Sequence, residues 1–274
     1  MSETTSGGLL AGRRGLIFGV ANARSLAWAI AERAHAEGAT LALNYGSERL
    51  ARRVQPLAES IGAAHVGLCD VTDDAQLETW FAEAIAALGG SVDFLVHSVA
   101  FAPSADLKGD FVDVSRTGFA HALSVSAYSL LEITRRALPH MTPGASVLTL
   151  SYLGAERAMP GYNLMGVAKA ALESTVRYLA AELGPQGIRV NALRPGPVRT
   201  LAASGVPGFK AKAAYASRTA PLRRAVGAEE VAGTAMSLLS DLGSAITGEI
   251  IHVDAGFHAV GAPPLSALGV LPES

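Results

Sequence analysis

The strongest constraint on the fold is a regular alternation of short apolar strands and helical segments along the whole chain. Most of the strand segments are continuous apolar runs, which is typical of parallel strands buried on both faces of a sheet. The sequence therefore predicts an α/β fold with one doubly wound, Rossmann-type parallel sheet of about seven strands, helices on both faces, and a single domain over residues 1–274. The predicted strands are residues 16–18, 40–45, 64–69, 92–97, 146–150, 188–192 and 248–253.

Helical patterns fill the intervals between these strands. The first predicted helix, residues 26–37, ends at Gly38, a residue type that favours the left-handed backbone found at many helix ends. A long helix is predicted over residues 113–138, where Pro139 ends it. Sheets of this kind bind ligands at the carboxyl ends of their strands, so residues directly after strands are the candidates for function.

Composition narrows the possible partners. Half of the residues are apolar, 17% are charged and the net charge is −2, so neither nucleic acid nor an anionic membrane surface is expected as a partner. The single cysteine, Cys69, excludes an intrachain disulfide, and no metal site is predicted. Residues 1–8 lack a signal-peptide pattern, and no apolar run reaches the roughly 18 residues of a membrane span. We expect a cytoplasmic protein.

Two candidate cofactor positions follow strands in the first half of the chain. Gly19 comes directly after the first strand, and Ser25 precedes a helix whose free N–H groups attract phosphate. The full Gly-x-Gly-x-x-Gly motif is absent, so an ordinary β–α turn is an equal alternative. Asp70 follows the third strand, and its carboxylate suits either an adenine edge or the N-cap of a helix that begins near Thr72.

Two further loops lie at the same edge of the predicted sheet. Residues 97–102 follow the fourth strand, and their small side chains leave room for a flat cofactor ring, while Phe101 and Ala102 suit an apolar pocket. We interpret His97 as a structural histidine without a catalytic role. Residues 194–200 follow the sixth strand, and their two prolines and one glycine predict a rigid turn.

Residues 151–169 carry the candidate catalytic groups. Tyr152 and Tyr162 lie in this segment, and Lys169 follows the second tyrosine by seven residues, which is nearly two helical turns. The spacing predicts that Tyr162 and Lys169 share one helix face beside a common ligand. A nearby ammonium lowers a tyrosine pKa and makes the phenol a better proton donor. Two side chains on a solvated helix face remain the alternative.

Four motifs together resemble the enoyl-acyl-carrier-protein reductases, a divergent branch of the short-chain dehydrogenase/reductase family. The resemblance extends over residues 12–261 and implies hydride transfer from NADH, with NADPH not excluded, to the β-carbon of a trans-2-enoyl thioester in fatty acid elongation. The motifs are Gly-Val-Ala-Asn-x-Arg-Ser at 19–25, Cys-Asp-Val at 69–71, Tyr-x9-Tyr-x6-Lys at 152–169 and Gly-Pro-Val-Arg-Thr-Leu-Ala-Ala-Ser-Gly at 196–205.

The resemblance also implies roles for individual residues. The catalytic set would be Tyr152, Tyr162 and Lys169, with Tyr162 stabilising the enolate and Lys169 holding the nicotinamide ribose. Substrate would contact Ala102, Tyr152 and Tyr162. An acyl carrier protein would be the partner, in a homotetramer of the reductase. The residues implied to bind the cofactor are Gly19, Ser25, Leu26, Asp70, Val71, Val99, Lys169, Val198, Arg199, Thr200, Leu201 and Ala202.

Two other functions are compatible with the predicted fold: a β-ketoacyl or hydroxy-compound dehydrogenase, and a non-catalytic nucleotide-binding regulator. The wider short-chain family usually has Tyr-x-x-x-Lys, but Met165 stands four residues before Lys169 and cannot donate a proton. This substitution argues against the dehydrogenase. The joint presence of Tyr152, Tyr162 and Lys169 argues against the regulator.

The end of the second strand bears on the choice of cofactor. NADH binding commonly uses an acid near this position, and residues 44–47 supply none, although Glu48 follows. A 2′-phosphate would need a basic pocket, and only Arg49 is near, next to Glu48, so we expect NADH over NADPH. Gly46 departs from the family, in which many members have a glutamine. Arg194 and the proline after it also depart, because they replace a smaller pair.

Residues 201–221 are predicted to form the substrate lid. The segment is rich in small residues and amphipathic, so it can close as a short helix over an apolar ligand. Its predicted acyl-lining residues are Leu201, Val206, Phe209 and Tyr215. Its basic residues would steer an acidic carrier protein, although each one taken singly suits a solvated loop. The basic residues are Lys210, Lys212 and Arg218, with Arg223 and Arg224 just beyond.

Overall fold

The chain is organised around one parallel sheet. The computed structural model describes residues 7–200 and 208–263. Its strands are β1 Arg14–Phe18, β2 Thr40–Tyr45, β3 His65–Leu68, β4 Val92–His97, β5 Met141–Leu150, β6 Arg189–Pro195 and β7 Ile250–Val253. They form a seven-stranded sheet in the order β3-β2-β1-β4-β5-β6-β7, with every neighbouring pair parallel. The predicted fold class is confirmed, while the single domain over residues 1–274 stays a prediction.

Helices connect the strands throughout the described ranges. They are α1 Leu26–Ala36, α2 Glu48–Ser60, α3 Asp74–Ala87, α4 Ser104–Leu107, α5 Arg116–Leu123, α6 Ser129–Ala137, α7 Asn163–Leu183, α8 Phe209–Thr219 and α9 Ala228–Leu239. A short π-helical turn, Ser124–Tyr128, joins α5 to α6. Among the helices described, none is both long and apolar enough to cross a bilayer.

The helices cover both faces of the sheet and create two cores. Helices α1, α2 and α9 pack on one face, and α3, α6 and α7 pack on the other. Side chains of β1 alternate between the cores, with Ile17 in the first and Leu16 and Phe18 in the second. Burial on both faces explains why the strands are continuous apolar runs.

The sheet changes its direction of winding between β1 and β4. The chain first builds outward through β2 to the edge strand β3, and then returns to place β4 on the other side of β1. At such a switch point the connections leave in opposite directions and open a crevice at the carboxyl ends of the strands. The candidate residues after β1, β4, β5 and β6 therefore surround one crevice.

The helix predicted over residues 113–138 differs from the observed structure. Helix α5 begins at Arg116, because the Ser115 hydroxyl accepts a hydrogen bond from the Gly118 amide at 3.0 Å and so forms the N-cap. The π-helical turn then separates α5 from α6. The prediction was right about one long helical segment and wrong about its start, and the π-helical turn within it was not expected.

The sixth strand extends further than predicted. Arg194 and Pro195, expected in a loop, pair with His252 and Val253 of β7. Backbone amides alternate in direction along a strand, and the amide of Gly196 donates to β7. Pro195 therefore faces β5, whose last paired residue lies opposite Leu193, so its missing N–H disrupts no strand pairing.

Candidate active site

The turn after β1 is built around Gly19. Its backbone φ is +99°, a value that favours glycine. A Cβ at this position would lie 2.2 Å from the carbonyl oxygen of Ser98, at the start of the loop after β4. Glycine is therefore required for the close approach of the two loops that border the crevice.

Asn44, to which the sequence assigned no role, anchors this turn. Its side chain is buried, with Oδ1 accepting a hydrogen bond from the Gly19 amide at 2.7 Å and Nδ2 donating to the Cys69 carbonyl at 2.9 Å. One side chain thus joins the carboxyl ends of β1, β2 and β3. An asparagine at the end of an apolar strand was the sequence signal that identifies it.

Helix α1 begins at Leu26 without a side-chain cap. The Ser25 hydroxyl donates to the Asn22 carbonyl at 2.7 Å, and the first turn contains no acidic residue. The N–H groups of this turn and the positive end of the helix dipole are thus available to an anion. The surroundings of Ser25 and Leu26 fit the phosphate-binding role predicted for them.

Asp70 is not the N-cap of α3. That position is held by Asp73, whose carboxylate accepts hydrogen bonds from two amides of the first turn at 3.0 and 3.1 Å. The Asp70 carboxylate instead accepts hydrogen bonds from the Thr72 amide and hydroxyl at 2.9 and 2.8 Å. The capping alternative is excluded, and adenine binding by Asp70 and Val71 stays a prediction.

His97 lies buried at the end of β4. Its Nδ1 is 2.8 Å from the Thr149 hydroxyl, and its Nε2 is 2.8 Å from the Ser129 hydroxyl. Burial and the nearby Lys169 ammonium lower the pKa of His97 to about 3, so the ring is neutral. These contacts agree with a structural role. Val99, two residues further on, packs half-buried against the adjacent core.

Tyr152 and Tyr162 meet at the carboxyl end of β5. Their ring centroids are 4.7 Å apart, with the planes inclined by 59°. Two glycines make this contact possible. A Cβ on Gly154 would lie 2.4 Å from the Tyr162 ring, and a Cβ on Gly166 would lie 2.7 Å from the Gly154 carbonyl oxygen. The structure therefore brings together the two tyrosines that the sequence singled out.

Tyr162 does not belong to the helix that carries Lys169. Helix α7 begins at Asn163, whose φ of +35° turns the chain into the helix. Tyr162 therefore precedes the helix, and the prediction that Tyr162 and Lys169 share one helix face is wrong. Burial and the neighbouring Tyr152 raise the pKa of Tyr162, the opposite of the predicted effect of Lys169. Tyr162 is therefore protonated at neutral pH and is a hydrogen-bond donor.

Lys169 is buried on α7 and reaches the end of β5. Its ammonium donates a hydrogen bond to the Leu150 carbonyl at 2.7 Å. Burial lowers the pKa of Lys169 to about 8, and the Glu173 carboxylate opposes this shift. The lysine is charged at neutral pH and loses its proton slightly above it. Since Tyr152 is two residues after Leu150, this charge lies at the same strand end as the tyrosine pair.

An apolar cluster lies between the loop after β4 and the start of α7. Ala102, Leu164 and Met165 are buried in it, and Tyr162 packs against them. The cluster places Ala102 and Tyr162 at one apolar surface, as predicted for residues that border an acyl site. Met165 contributes only a thioether to this surface, which is consistent with its lack of a proton-donating role.

The loop after β6 borders a cleft of about 460 Å³. Val198 and Arg199 line the cleft from this loop, Arg24 from the turn after β1, and Lys210 from α8. The charged side chains of the lining, Arg24, Arg199 and Lys210, are all cationic, and the other lining residues are uncharged and mostly small.

Thr200 is the last described residue of the loop after β6. Its amide donates to the Val198 carbonyl at 3.0 Å. The predicted cofactor-binding residues Leu201 and Ala202, and the predicted acyl-lining residue Val206, lie outside the described ranges.

These features fit a dinucleotide lying across the carboxyl ends of the strands. The uncapped start of α1 and the three cations of the cleft suit its phosphates, and a buried ammonium lies at the strand end that the tyrosine pair follows. Over residues 7–200 and 208–263, no group of three or more His, Cys, Asp or Glu side chains is placed to hold a metal ion.

Comparison with known proteins identifies the family of this chain. A family model described as enoyl-(acyl carrier protein) reductase matches residues 19–258. The chain belongs to this family. An enoyl-[acyl-carrier-protein] reductase [NADH] of Rhizobium meliloti (strain 1021) is 49% identical to it, over 95% of this chain and 97% of the relative. The resemblance inferred from the four motifs is confirmed.

Two solved enoyl-acyl-carrier-protein reductases share the whole fold. The Anaplasma phagocytophilum enzyme, in complex with NAD, superposes with a TM-score of 0.89 at 49% identity, covering 94% of this chain and 98% of that one. The Bacillus cereus enzyme, with NADP+ and indole naphthyridinone, has a TM-score of 0.90 at 47% identity, covering 93% and 100%.

In this enoyl-acyl-carrier-protein reductase family member, α8 is the described part of the predicted lid. The Tyr215 ring lies 6.0 Å from that of Phe257, so the aromatic side of α8 faces the segment after β7. Of the predicted basic residues, Lys210 and Arg218 are exposed and Lys212 is half-buried. The guanidinium groups of the two arginines beyond α8 have partners in the protein. Arg223 donates to the carbonyls of Arg218 and Thr219, and Arg224 forms an ion pair with Glu230 at 2.7 Å.

Proposed function

We propose that this chain is an NADH-dependent enoyl-[acyl-carrier-protein] reductase that saturates the trans-2 double bond of an acyl thioester in fatty acid biosynthesis. One observation carries the proposal. The rings of Tyr152 and Tyr162 pack against each other at the carboxyl end of β5, while Met165 is buried where the wider short-chain family has its proton-donating tyrosine. Membership of the reductase family and 49% identity to the enoyl-[acyl-carrier-protein] reductase [NADH] of Rhizobium meliloti support the same activity.

The residues of the site divide the chemistry between them. Bound NADH would supply the hydride for the β-carbon of the substrate, and protonation of the resulting enolate at its α-carbon would complete the saturation of the double bond. The protonated Tyr162 hydroxyl donates a hydrogen bond to the thioester carbonyl oxygen, where negative charge develops, and such a donor contributes about 10²–10³ in rate. Lys169 holds the hydroxyls of the nicotinamide ribose. Tyr152 and Ala102 border the acyl chain.

The cofactor extends along the crevice from the adenine side to the nicotinamide side in this proposal. Asp70 and Val71 bind the adenine, Val99 the adenosine side, and the turn from Gly19 with the start of α1 the pyrophosphate. Residues 198–202 bind the nicotinamide half. The choice of NADH rests on the lack of a basic pocket after β2, where Arg49 is exposed and follows Glu48.

The partner in this proposal is an acyl carrier protein that presents the enoyl thioester. A homotetramer, implied by the family resemblance, and a cytoplasmic location, expected from the sequence, both stay predictions. Nucleic acid and anionic membrane surfaces are not expected as partners, because the chain has a net charge of −2.

Turnover of an enoyl thioester tests the proposal directly. Purified protein with NADH and a crotonyl or longer enoyl thioester is expected to consume the nicotinamide absorbance. NADPH should be used with a lower kcat/KM. Faster turnover of a β-ketoacyl thioester or an alcohol would favour the dehydrogenase, and NADH binding without any turnover would favour the regulator.

Two variants separate the proposed roles of the catalytic residues. Tyr162→Phe is expected to lower kcat by about 10²–10³ with an unchanged dissociation constant for NADH, because the hydroxyl acts on charge that develops during the reaction. Lys169→Ala is expected to weaken NADH binding itself. Equal NADH affinities of wild type and Lys169→Ala would contradict the ribose-binding role.

A further inference from the structure

A buried ion pair lies directly behind Lys169. Glu173 is four residues further along α7, so the two side chains are on the same face of the helix. Both are almost fully buried, with exposed fractions of 5% for Lys169 and 4% for Glu173. A buried carboxylate requires compensation, and Arg194 at the end of β6 provides it.

The contacts of Glu173 use both carboxylate oxygens. Oε1 accepts hydrogen bonds from Arg194 Nε at 2.6 Å and from the Ser151 hydroxyl at 2.5 Å. Oε2 accepts from Arg194 Nη2 at 2.5 Å. The arginine thus binds the carboxylate in a bidentate manner, which fixes its orientation as well as its charge. Arg194 also contacts Glu156 and the His252 ring through Nη1.

These contacts connect three parts of the proposed site. Ser151 lies between Leu150, whose carbonyl accepts the Lys169 hydrogen bond, and Tyr152. Arg194 is the penultimate residue of β6 and leads into the loop proposed to hold the nicotinamide. A single carboxylate therefore links the helix of the lysine, the strand end of the tyrosines and the loop after β6.

The other titratable groups around Lys169 do not replace this carboxylate. His97 on β4 is neutral, and the pKa values of Tyr152 and Tyr162 are raised by burial, so both phenols are uncharged. On α5, the π-helical turn and α6, the groups have other partners. These pairs are His121 with Phe101, Tyr128 with Glu132, Arg135 with Glu132, and Arg136 with Glu132 and Asp74.

We propose that Glu173 is a positioning residue whose carboxylate faces Lys169 from the next turn of α7 and balances its ammonium at the end of β5, and that Arg194 and Ser151 hold Glu173 in place for this task. The proposal rests on the cofactor-binding role of Lys169 proposed above. Buried ion pairs contribute little net stability compared with apolar side chains of similar size, so stability alone does not account for a bidentate pair at this position.

The charge of Glu173 has a measurable consequence for Lys169. The carboxylate raises the pKa of the lysine against the effect of burial, which together give a value of about 8. The charged lysine is the form that binds the cofactor, so NADH affinity should fall as pH rises through about 8. Without the carboxylate, the same loss should begin at lower pH.

The test is a direct titration of NADH binding between about pH 6 and 9.5, without turnover. Glu173→Gln is expected to bind NADH as wild type does at pH 6, where the lysine is protonated in both proteins. At the alkaline end its affinity should be about tenfold weaker, since one pKa unit corresponds to a tenfold change. Arg14→Gln is the matched control, because it removes an arginine from the Arg14–Asp93 ion pair (3.0 Å) at the opposite end of the sheet.

A second variant guards against misfolding. Glu173→Gln leaves the Arg194 charge buried without its partner. The double variant Glu173→Gln/Arg194→Gln removes both charges, and the pH at which its NADH affinity begins to fall should be lowered to the same extent. If this pH is unchanged in both variants, the proposal is overturned, as it is by an equal loss of affinity at every pH. If Lys169→Ala binds NADH normally, the ribose-binding role fails instead, and the enoyl turnover assay remains independent of either result.

Discussion

The tyrosine pair depends on two residues that have no side chain. Gly154 accommodates the Tyr162 ring, and Gly166 accommodates the backbone of Gly154, so the start of α7 lies against the segment after β5. The hydroxyl of Tyr162 is thus placed by steric fit rather than by the neighbouring cation that the spacing suggested. A change of one methyl group in this contact should act on catalysis.

Gly154→Ala is expected to reduce kcat strongly while leaving the dissociation constant of NADH within about twofold of wild type. The new Cβ would lie 2.4 Å from the Tyr162 ring and displace it, and a misplacement of about 1 Å costs up to 10²-fold in rate. Steady-state kinetics and NADH titration measure the two effects. Gly233→Ala, on α9, is the control, since a Cβ there meets no atom within 4 Å. A kcat equal to that of wild type in Gly154→Ala would show that the contact between the Tyr152 and Tyr162 rings is not needed for catalysis.

The residues of the candidate site could be predicted from the sequence, but the hydrogen-bond partners that hold them in place could not. Tyr152, Tyr162 and Lys169 were identified from spacing and resemblance, and the structure places them at one strand end. The contact between Asn44 and Gly19 joins residues 25 positions apart, and that between Glu173 and Arg194 joins residues 21 apart. Such pairings arise from the sheet topology, which no local pattern contains.

At the scale of elements, the start of each helix near the site is fixed by a single residue. Asp73 is the N-cap of α3, Ser115 is the N-cap of α5, and Asn163 turns the chain into α7 at a positive φ. The sequence predicted the existence of these helices and missed two of these starts. Several polar residues near each boundary were suitable caps, and the tertiary structure selected one.

Asp70 and Asp73, which follow β3, are expected to have different roles that can be tested separately. Asp73→Ala should lower the free energy of unfolding by about 1 kcal/mol, because two amides lose their cap, and should not affect NADH binding. Asp70→Ala should weaken NADH binding with a smaller effect on stability. Chemical denaturation and NADH titration distinguish the two. The reverse pattern would remove Asp70 from the cofactor site.

Helix α8 should influence carrier-bound substrates only. Lys210 and Arg218 are exposed on it, and changing both to alanine should raise KM for an enoyl thioester on the acidic carrier protein, with the wild-type KM also rising with salt. A small enoyl thioester should be turned over as before. The exposed pair Arg52 and Arg53 on α2 is the control. Equal effects on both substrates would exclude carrier docking and leave α8 as a lid.

At the scale of the whole molecule, alternation of strands and helices was sufficient to predict the sheet. Each predicted strand corresponds to an observed one, because burial on both faces leaves a continuous apolar run. The order of the strands follows from right-handed crossovers and one reversal, which are general properties of such sheets. Helix α4 had no such periodic signal and was not predicted, and α8 was expected only as a lid segment able to close as a short helix.

The surface carries apolar side chains that suit the proposed homotetramer. Those on the layer of α5 to α7 are Phe119, Tyr128, Leu131 and Tyr178, of which Tyr178 is 76% exposed. The double variant Leu131→Glu/Tyr178→Glu is expected to lower the molar mass measured by light scattering, because charge on this surface opposes burial between copies. Leu222→Glu, on an exposed loop after α8, is the control. An unchanged mass would place the interface elsewhere.

Asn44 gives the edge of the sheet a dependence on the cofactor. Its side chain holds the Gly19 amide and the Cys69 carbonyl together, so any ligand that orders the turn after β1 also restrains the end of the edge strand β3. Binding to the native state lowers the population of opened forms. Deuterium uptake by the amides of β3 should therefore slow when the cofactor binds, although none of them needs to touch it. In this way, hydrogen exchange in β3 would report whether the cofactor site is occupied.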